Sequence, residues 1–434
     1  MAALTFDVTR SATGTRPLIL GTLGHAVNDA YTAFVPALLP MFHLQLGLDE
    51  ATLAGLVAIF ALSASLPGPL LGRLSDRFGE APVTAVSVLF SAVLLSLLAT
   101  TPSVPLLFAL VAIAGLGSAA IHPAGSMLVR RGTSRPELAI ALFAAGGMLG
   151  YAAGPSALAA ARDLSGPSLP FVLALPGILA AASILAFAGR DGNRRAPLPA
   201  PVRRFDWALV MGPVGLITLA AAFAFLPVTA VLNGLPLFLM ERHGLSDTDP
   251  AIAGTLSTFS LAAAAGGIGV GLVVGRLPRR WLLAAVLAGS VPAFLGLLWL
   301  SPGTTGFVVL LSAAGALNYA ATPILVVAAQ DLAPRSGATA SGMVFGLGSA
   351  LAGLLYFGIG ALQVQIGVGA ALSLAFVAPV LSGALSLLVL NRVPPVPAAS
   401  LPETLCACAA ASGTGIVPCA PACTLSCNGV QENA

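Results

Sequence analysis

Two histidines and one aspartate sit where chemistry is least expected, inside long apolar stretches. His25 and Asp29 are four residues apart in Gly24-His25-Ala26-Val27-Asn28-Asp29-Ala30-Tyr31, a spacing that puts both on one helix face. His122 lies in a second apolar stretch, Gly115–Gly125, next to Pro123, which frees a backbone carbonyl. An aspartate at the centre of a lipid-facing helix costs about 2.5–3.5 kcal/mol on insertion scales. Asp29 must therefore face a cavity or a partner. Burial makes its charged form costly, which suits it to take up and release a proton. His25, one turn away, could donate to the carboxylate or share its proton, and His122 could reach the first helix across a cavity. A structural His–Asp pair that only fixes helix packing is the competing reading. Glu137 and Asp331 fall at helix ends, where Arg135 and Arg335 can screen them, so Asp29 is the carboxylate well inside a span.

A second cluster of charge is Gly72-Arg73-Leu74-Ser75-Asp76-Arg77-Phe78-Gly79. Only 8% of the chain is charged, so three charges in five positions stand out. The pattern predicts a short loop between two apolar stretches. Gly72 and Gly79 allow a tight reversal and close helix approach, and Asp76 between arginines fits a charge-pair latch, with Arg130 and Arg131 as partners from the end of the fourth helix. A solvated turn is the plainer alternative. A third feature is the tail, which holds all five cysteines: Cys406, Cys408, Cys419, Cys423 and Cys427. On the cytoplasmic side these are thiols and not disulfides. Clustered thiolates suit zinc, copper(I) or arsenite, although the spacing fits no zinc-finger pattern and a disordered Ala/Pro-rich extension is the alternative.

The elements that must carry these residues follow from composition. The chain has 434 residues, 57% of them hydrophobic, and a mean hydropathy of +0.97. A soluble domain would carry about 25% charged residues; here the solvent must be lipid. A membrane-spanning helix needs about 20 mostly apolar residues. Twelve stretches meet this, near 17–42, 51–71, 81–101, 104–129, 138–161, 168–189, 207–240, 250–275, 281–301, 304–332, 338–363 and 368–391. The first holds His25, Asn28 and Asp29 and reads as a span, not a removable leader. The seventh is long and contains Pro213, Pro227 and Pro236, which predicts kinks.

The chain has no lysine, and its 19 basic residues are all arginine. With both termini inside, seventeen arginines fall on the inner side and only Arg162 and Arg242 outside, a strong positive-inside asymmetry. The expected organisation is an inner N-terminal tail (1–16), a six-helix half (17–189), an inner linker (190–206), a second six-helix half (207–392) and a Cys-rich inner tail (393–434). The halves echo each other: Gly72-Arg73-Leu74 is matched by Gly275-Arg276-Leu277, and the glycines of the fifth helix (146, 147, 150, 154) by those of the eleventh (342, 346, 348, 353). Parallel six-helix halves are a transporter layout with the substrate at the midplane.

The segment Gly72–Gly79 resembles the loop between the second and third helices of major facilitator superfamily transporters, although Glu80 and Ala81 stand where two basic residues usually follow. H-x-x-x-D in the first helix, Pro36-Ala37-Leu38-Leu39-Pro40, and His122-Pro123 in the fourth resemble the fosmidomycin-resistance branch of that superfamily, across most of 17–390. The resemblance implies a proton-driven drug exporter with a cavity lined by helices one, four, seven and ten. Here those helices carry His25, Asn28 and Asp29, then His122, Asn233, and Asn318 with Thr322. The branch has an acid and an arginine where Ala124 and Met127 stand, and polar residues in the fifth helix where Ala and Met148 stand. An intramembrane ion pair is therefore expected to be lost as a unit and the cavity to be less polar, which does not carry fosmidomycin over as the substrate. Gly150-x-x-x-Gly154-Pro155 is similar to the antiporter motif of the superfamily's exporters, without its closing glycine pair; small residues four apart also serve packing alone.

The reading is an all-α, twelve-helix secondary transporter of the inner (plasma) membrane with both termini cytoplasmic, exchanging protons for a small drug-like compound. Latch residues are Gly72, Asp76, Arg77, Gly79, Arg130 and Arg131. A monomer in the bilayer is expected, with no cofactor and no nucleic-acid partner. No phosphate-binding loop points to an ATPase or other enzyme. A soft-metal or metalloid exporter, a nutrient importer and a membrane sensor on the same scaffold are the alternatives.

Overall fold

A computed structural model describes residues 12–131, 133–165, 168–191, 207–246 and 249–391. These form helices and short turns, with no strand among them. The first span is α1 (Ala12–Thr32) and α2 (Phe34–Leu46), and the second is α3 (Glu50–Ser65) and α4 (Gly68–Phe78). Then follow α5 (Glu80–Leu97), α6 (Val104–Arg130), α7 (Pro136–Ser165) and α8 (Leu169–Asp191). The second set starts with α9 (Trp207–Met211), α10 (Pro213–Asn233) and α11 (Leu235–His243), followed by α12 (Pro250–Val273) and α13 (Arg279–Leu297). It ends with α14 (Thr305–Tyr319), α15 (Ala321–Leu332), α16 (Gly337–Gly342), α17 (Gly348–Ile366), α18 (Val368–Val377) and α19 (Pro379–Leu390). A π-helical turn, Met343–Leu347, joins α16 to α17.

Eleven of these helical segments are long and apolar enough to cross a membrane. The first span is not among them: it is interrupted at Ala33, and Arg16, His25, Asn28 and Asp29 dilute its apolar character. Large apolar side chains such as Leu70, Phe90, Phe171 and Phe357 lie exposed on the bundle's outside, as a lipid solvent requires. In the seventh span the chain breaks at Gly212 and Gly234, with Pro213 and Pro236 in the first turns of α10 and α11. Proline is tolerated there because those N–H groups have no helical acceptor. Pro227, expected to kink the span, lies inside α10 without ending it.

The expected loop at 72–79 is instead helix: α4 runs to Phe78, and the reversal rests on Gly79 alone, at φ 94°. Asp49 caps α3 through a hydrogen bond from the Thr52 N–H, and its bonds with Thr52 hold its carboxyl below the usual carboxylate range.

The cores are asymmetric along the bundle. At the end holding the C-termini of α4 and α6 and the N-termini of α7 and α16, one buried cluster joins both sets of helices: Val129, Ile140 and Phe143 pack with Ile217, Ile324, Ala340 and Met343. Towards the other end each set keeps its own core, Phe34, Leu38, Phe42 and Leu107 in one, Phe238, Phe294, Phe307 and Phe376 in the other. The first end carries Arg73, Arg77, Arg130, Arg131 and Arg279 and is called the Arg-rich end below. It is closed by side chains from both halves.

Candidate functional site

Glycine sets the first site. On α7, Gly146, Gly147, Gly150 and Gly154 lie against residues 22–30 of α1. A Cβ on Gly150 would fall 1.8 Å from the Ala26 oxygen, and one on Gly154 2.3 Å from the Ala30 oxygen. The Gly150-x-x-x-Gly154 motif therefore packs backbone on backbone, and Pro155 continues α7 without a break. This contact brings His25 and Asp29 against α7, where a Cβ on Gly147 would meet His25 Cε1 at 2.5 Å and Asp29 Oδ2 at 2.7 Å.

His25 Nε2 lies 3.2 Å from Asp29 Oδ2. His122, from α6, meets His25 edge to face at 4.9 Å between ring centroids, so the three predicted residues converge. Phe143 stacks on His25 at 4.0 Å, and Phe345, in the π-helical turn of the other half, lies 5.4 Å from the His122 ring. Both imidazoles are oriented by backbone oxygen: His25 Nδ1–H donates to Phe143 O at 2.7 Å and His122 Nδ1–H to Ser118 O at 2.9 Å. A carbonyl can only accept, so the proton of each neutral ring sits on Nδ1 and the Nε2 lone pair is free. Asn28 Nδ2 donates to Asp29 Oδ1 at 3.0 Å, leaving Oδ2 to His25. Tyr319, from α14, is within electrostatic reach of Asp29.

The other residues expected to line the cavity make these contacts. Asn318 is buried and ties α14 to α10 by donating to Ala224 O at 2.9 Å. Asn233 is exposed and bonds its own helix through Thr229 O at 2.8 Å. Thr322 is buried in the first turn of α15. Ala124 packs against Val83, Ala120 and Leu71, an apolar seat in place of an ion pair. The five cysteines lie outside the described residues.

The second site is the Arg-rich end. Asp76 is engaged by α16, and not by Arg130 or Arg131, which pair with other acids. Its carboxylate accepts from the N–H groups of Ala338 (3.0 Å) and Thr339 (2.9 Å) and from Thr339 Oγ1 (2.5 Å). It thus caps α16, the start of the eleventh span, from across the halves, where an anion meets free N–H groups and the positive end of the helix dipole. Gly72 allows this approach: a Cβ there would lie 2.3 Å from the Ala338 oxygen. Arg131, expected to face Asp76, pairs with Glu80 in its own half; Glu80 stands where a basic residue was the expected continuation. Arg77 lies over the Phe78 ring at 5.2 Å.

Arg130 pairs with Asp331 and donates to Gln330 Oε1 at 2.8 Å. Asp331 also pairs with Arg279 at 2.7 Å, and Arg279 with Glu137 at 2.5 Å. The screening expected from Arg135 and Arg335 is therefore supplied by Arg130 and Arg279. The chain Arg130–Asp331–Arg279–Glu137 crosses between the halves twice. Sequence reasoning missed it, although Gln330-Asp331 closes the tenth span where Arg130-Arg131 closes the fourth, and that match of halves was a usable signal. His122 and Arg130 are eight residues apart on α6, about 12 Å, so the His–Asp–His pocket stands two turns from this seal.

The family model for the Major Facilitator Superfamily matches residues 21–357. The chain belongs to that superfamily. Among curated relatives, the fosmidomycin resistance protein of Escherichia coli (strain K12) is 27% identical over 344 residues, covering 77% of this chain and 84% of that protein. The class C tetracycline resistance protein of Escherichia coli is 30% identical over 268 residues, 58% of this chain and 64% of that one. Among solved structures, the human organic anion transporter MFSD10 superposes with a TM-score of 0.69 at 17% identity, over 87% of this chain and 100% of that one. A bacterial homologue of the iron transporter ferroportin, in its outward-facing state, gives 0.65 at 15% identity over 87% and 100%. These likenesses fix the fold as that of the superfamily's carriers, which are not enzymes.

The Asp76 geometry carries an expectation. In Asp76→Asn the three donors keep one acceptor oxygen and meet an NH2 group. Hydrogen bonds to a charged group are worth about 1.5–3 kcal/mol each, so losing one lowers the weight of the closed Arg-rich end about ten- to a hundredfold. Transport turnover should fall accordingly while substrate affinity stays near that of the parent. Normal turnover in a normally expressed variant would reduce the segment to a packing turn.

Proposed function

We propose that this superfamily member is a proton-coupled exporter of a small drug-like compound, working by alternating access in the plasma membrane. The observation that carries the reading is the pocket itself: three proton-accepting groups converge deep in an apolar bundle, two turns from the seal between the halves. Intramembrane ionisable groups of this kind are functional by default. A proton held among His25, Asp29 and His122 leaves a pocket that tolerates a dry, closed state. Its loss leaves a carboxylate that favours a wetted one. The closed Arg-rich end then corresponds to the outward-facing state, with both termini, the 190–206 linker and the arginines on the cytoplasmic side. The resistance proteins among the relatives support export over import. Their compounds belong in the first trial.

The test is a drug panel including fosmidomycin and a tetracycline, in a host lacking its own exporters, with the gene, without it, and with Asp29→Asn. The expected result is a several-fold rise in the inhibitory concentration of at least one apolar compound, lost in the variant. Soft metals belong in the same panel: protection confined to them, and lost when the five cysteines are replaced, would favour a metal exporter. No protection combined with gene-dependent uptake of a nutrient would contradict export.

A further inference from the structure

Both histidines of the pocket spend Nδ1 on a carbonyl oxygen, Phe143 O and Ser118 O, so both neutral rings direct a lone pair at Nε2 away from their own anchors. Asp29 spends Oδ1 on Asn28 and turns Oδ2 to His25 Nε2 at 3.2 Å. His25 is 4% exposed, and its Nε2 is turned to Asp29 Oδ2 and away from solvent. One donor atom from each of His25, Asp29 and His122 lies within 4.8 Å of the others. Three electron-pair donors thus lie close enough to be drawn onto one ion.

We propose that His25, Asp29 and His122 bind one divalent first-row transition-metal ion of the zinc or cobalt(II) class. Two imidazole nitrogens and a carboxylate are a fitting ligand set for such an ion, and three protein ligands leave a fourth position for water or a ligand. Nitrogen donors disfavour calcium and magnesium. Metal–nitrogen bonds of about 2.0–2.1 Å put tetrahedral ligands about 3.4 Å apart; the His25–Asp29 pair already meets this, and His122, within 4.8 Å, has up to about 1.4 Å to close. The outer contacts are in place, because a carbonyl fixes each imidazole and an amide fixes the carboxylate. The space for the ion exists because residue 147 is glycine: a Cβ there would lie 2.5 Å from His25 Cε1 and 2.7 Å from both His25 Nε2 and Asp29 Oδ2. Asp29 and His122 are half-buried, not fully sealed. The inference rests on this geometry; an ion would compete with the proton of the export reading for the same donor atoms, and the export reading stands if no ion binds.

The test uses the full-length protein in nanodiscs, with the five cysteines of the tail replaced by serine so that thiolates cannot contribute. Cobalt(II) is titrated while the visible d–d bands are followed, and zinc is added as competitor. The expected result is one cobalt per chain with tetrahedral-type bands that zinc removes. His25→Gln, His122→Gln and Gly147→Ala should each weaken binding by at least about tenfold, whereas His43→Gln and His243→Gln should leave it unchanged. The Gly147 variant keeps every ligand and checks the site if a histidine variant folds poorly, which thermal melting will show. Absence of the bands, or binding equally strong in all the variants, would overturn the proposal.

Discussion

Asp29→Asn is expected to abolish concentrative efflux while leaving downhill exchange in place. An imposed gradient of one pH unit is worth about 1.4 kcal/mol per proton, which for one-to-one exchange supports about a tenfold substrate gradient. In vesicles the parent protein should approach that ratio for the best compound of the panel, and the variant should stay at about one. The asparagine keeps the shape of the site and can still accept from Asn28, so counterflow of labelled against unlabelled compound should persist. What it lacks is a group that gains and loses a proton between Asn28 and His25. Undiminished accumulation in the variant would remove Asp29 from the coupling step and leave His122, which meets His25 at 4.9 Å, as the candidate.

Gly72→Leu should open the Arg-rich end and stop transport. The atoms a Cβ would meet are the oxygen and carbon of Ala338 and Cα of Thr339, at 2.3, 2.7 and 2.8 Å. All are backbone, so no flexible side chain can yield and the halves must separate. Overpacking costs about 1–3 kcal/mol, and the three bonds that Asp76 accepts from Ala338 and Thr339 are disturbed with it. A loss of about 2 kcal/mol already changes the balance of states roughly thirtyfold. Ser126 is fully buried beside Gln330. A cysteine there, in the background without tail cysteines, should react slowly with a maleimide in the parent and at least about tenfold faster with Gly72→Leu. Full transport and unchanged labelling would mean that Gly72 does not govern the closing of this end.

Much of the scaffold was legible because lipid imposes a crude rule, about 20 apolar residues per span. Breaks within spans were less so. Proline at Pro213 and Pro236 marks helix starts, while Pro227 and Pro155 lie inside helices, as membrane helices tolerate. The segment at 72–79 read as a loop from its glycines and charges. It is helix up to Phe78, and its Gly72 is pressed against α16, a contact 266 positions away in the chain that no local pattern encodes.

The pocket was legible in its side chains and not in its anchors. His25 and Asp29 declared themselves by helical spacing, and His122 by its rarity in an apolar stretch. Phe143 O and Ser118 O, which set both tautomers, are backbone atoms that every residue owns. The same holds for Asp76: arginines nearby in sequence looked like its partners, but the N–H groups opening α16 take that place. Arg130 and Arg279 are engaged instead by Asp331 and Glu137, acids that composition alone placed only at helix ends.

The central claim, that a proton moves opposite to a small compound through the pocket of His25, Asp29 and His122, is tested most directly by trapping a pH-sensitive dye inside proteoliposomes without an imposed gradient. The compound selected by the drug panel is then added outside. The account predicts a pH change in the lumen, outward proton movement matching inward compound movement, that vanishes in Asp29→Asn while the compound still exchanges. Entry of the compound through the parent protein with no change in lumenal pH would contradict it.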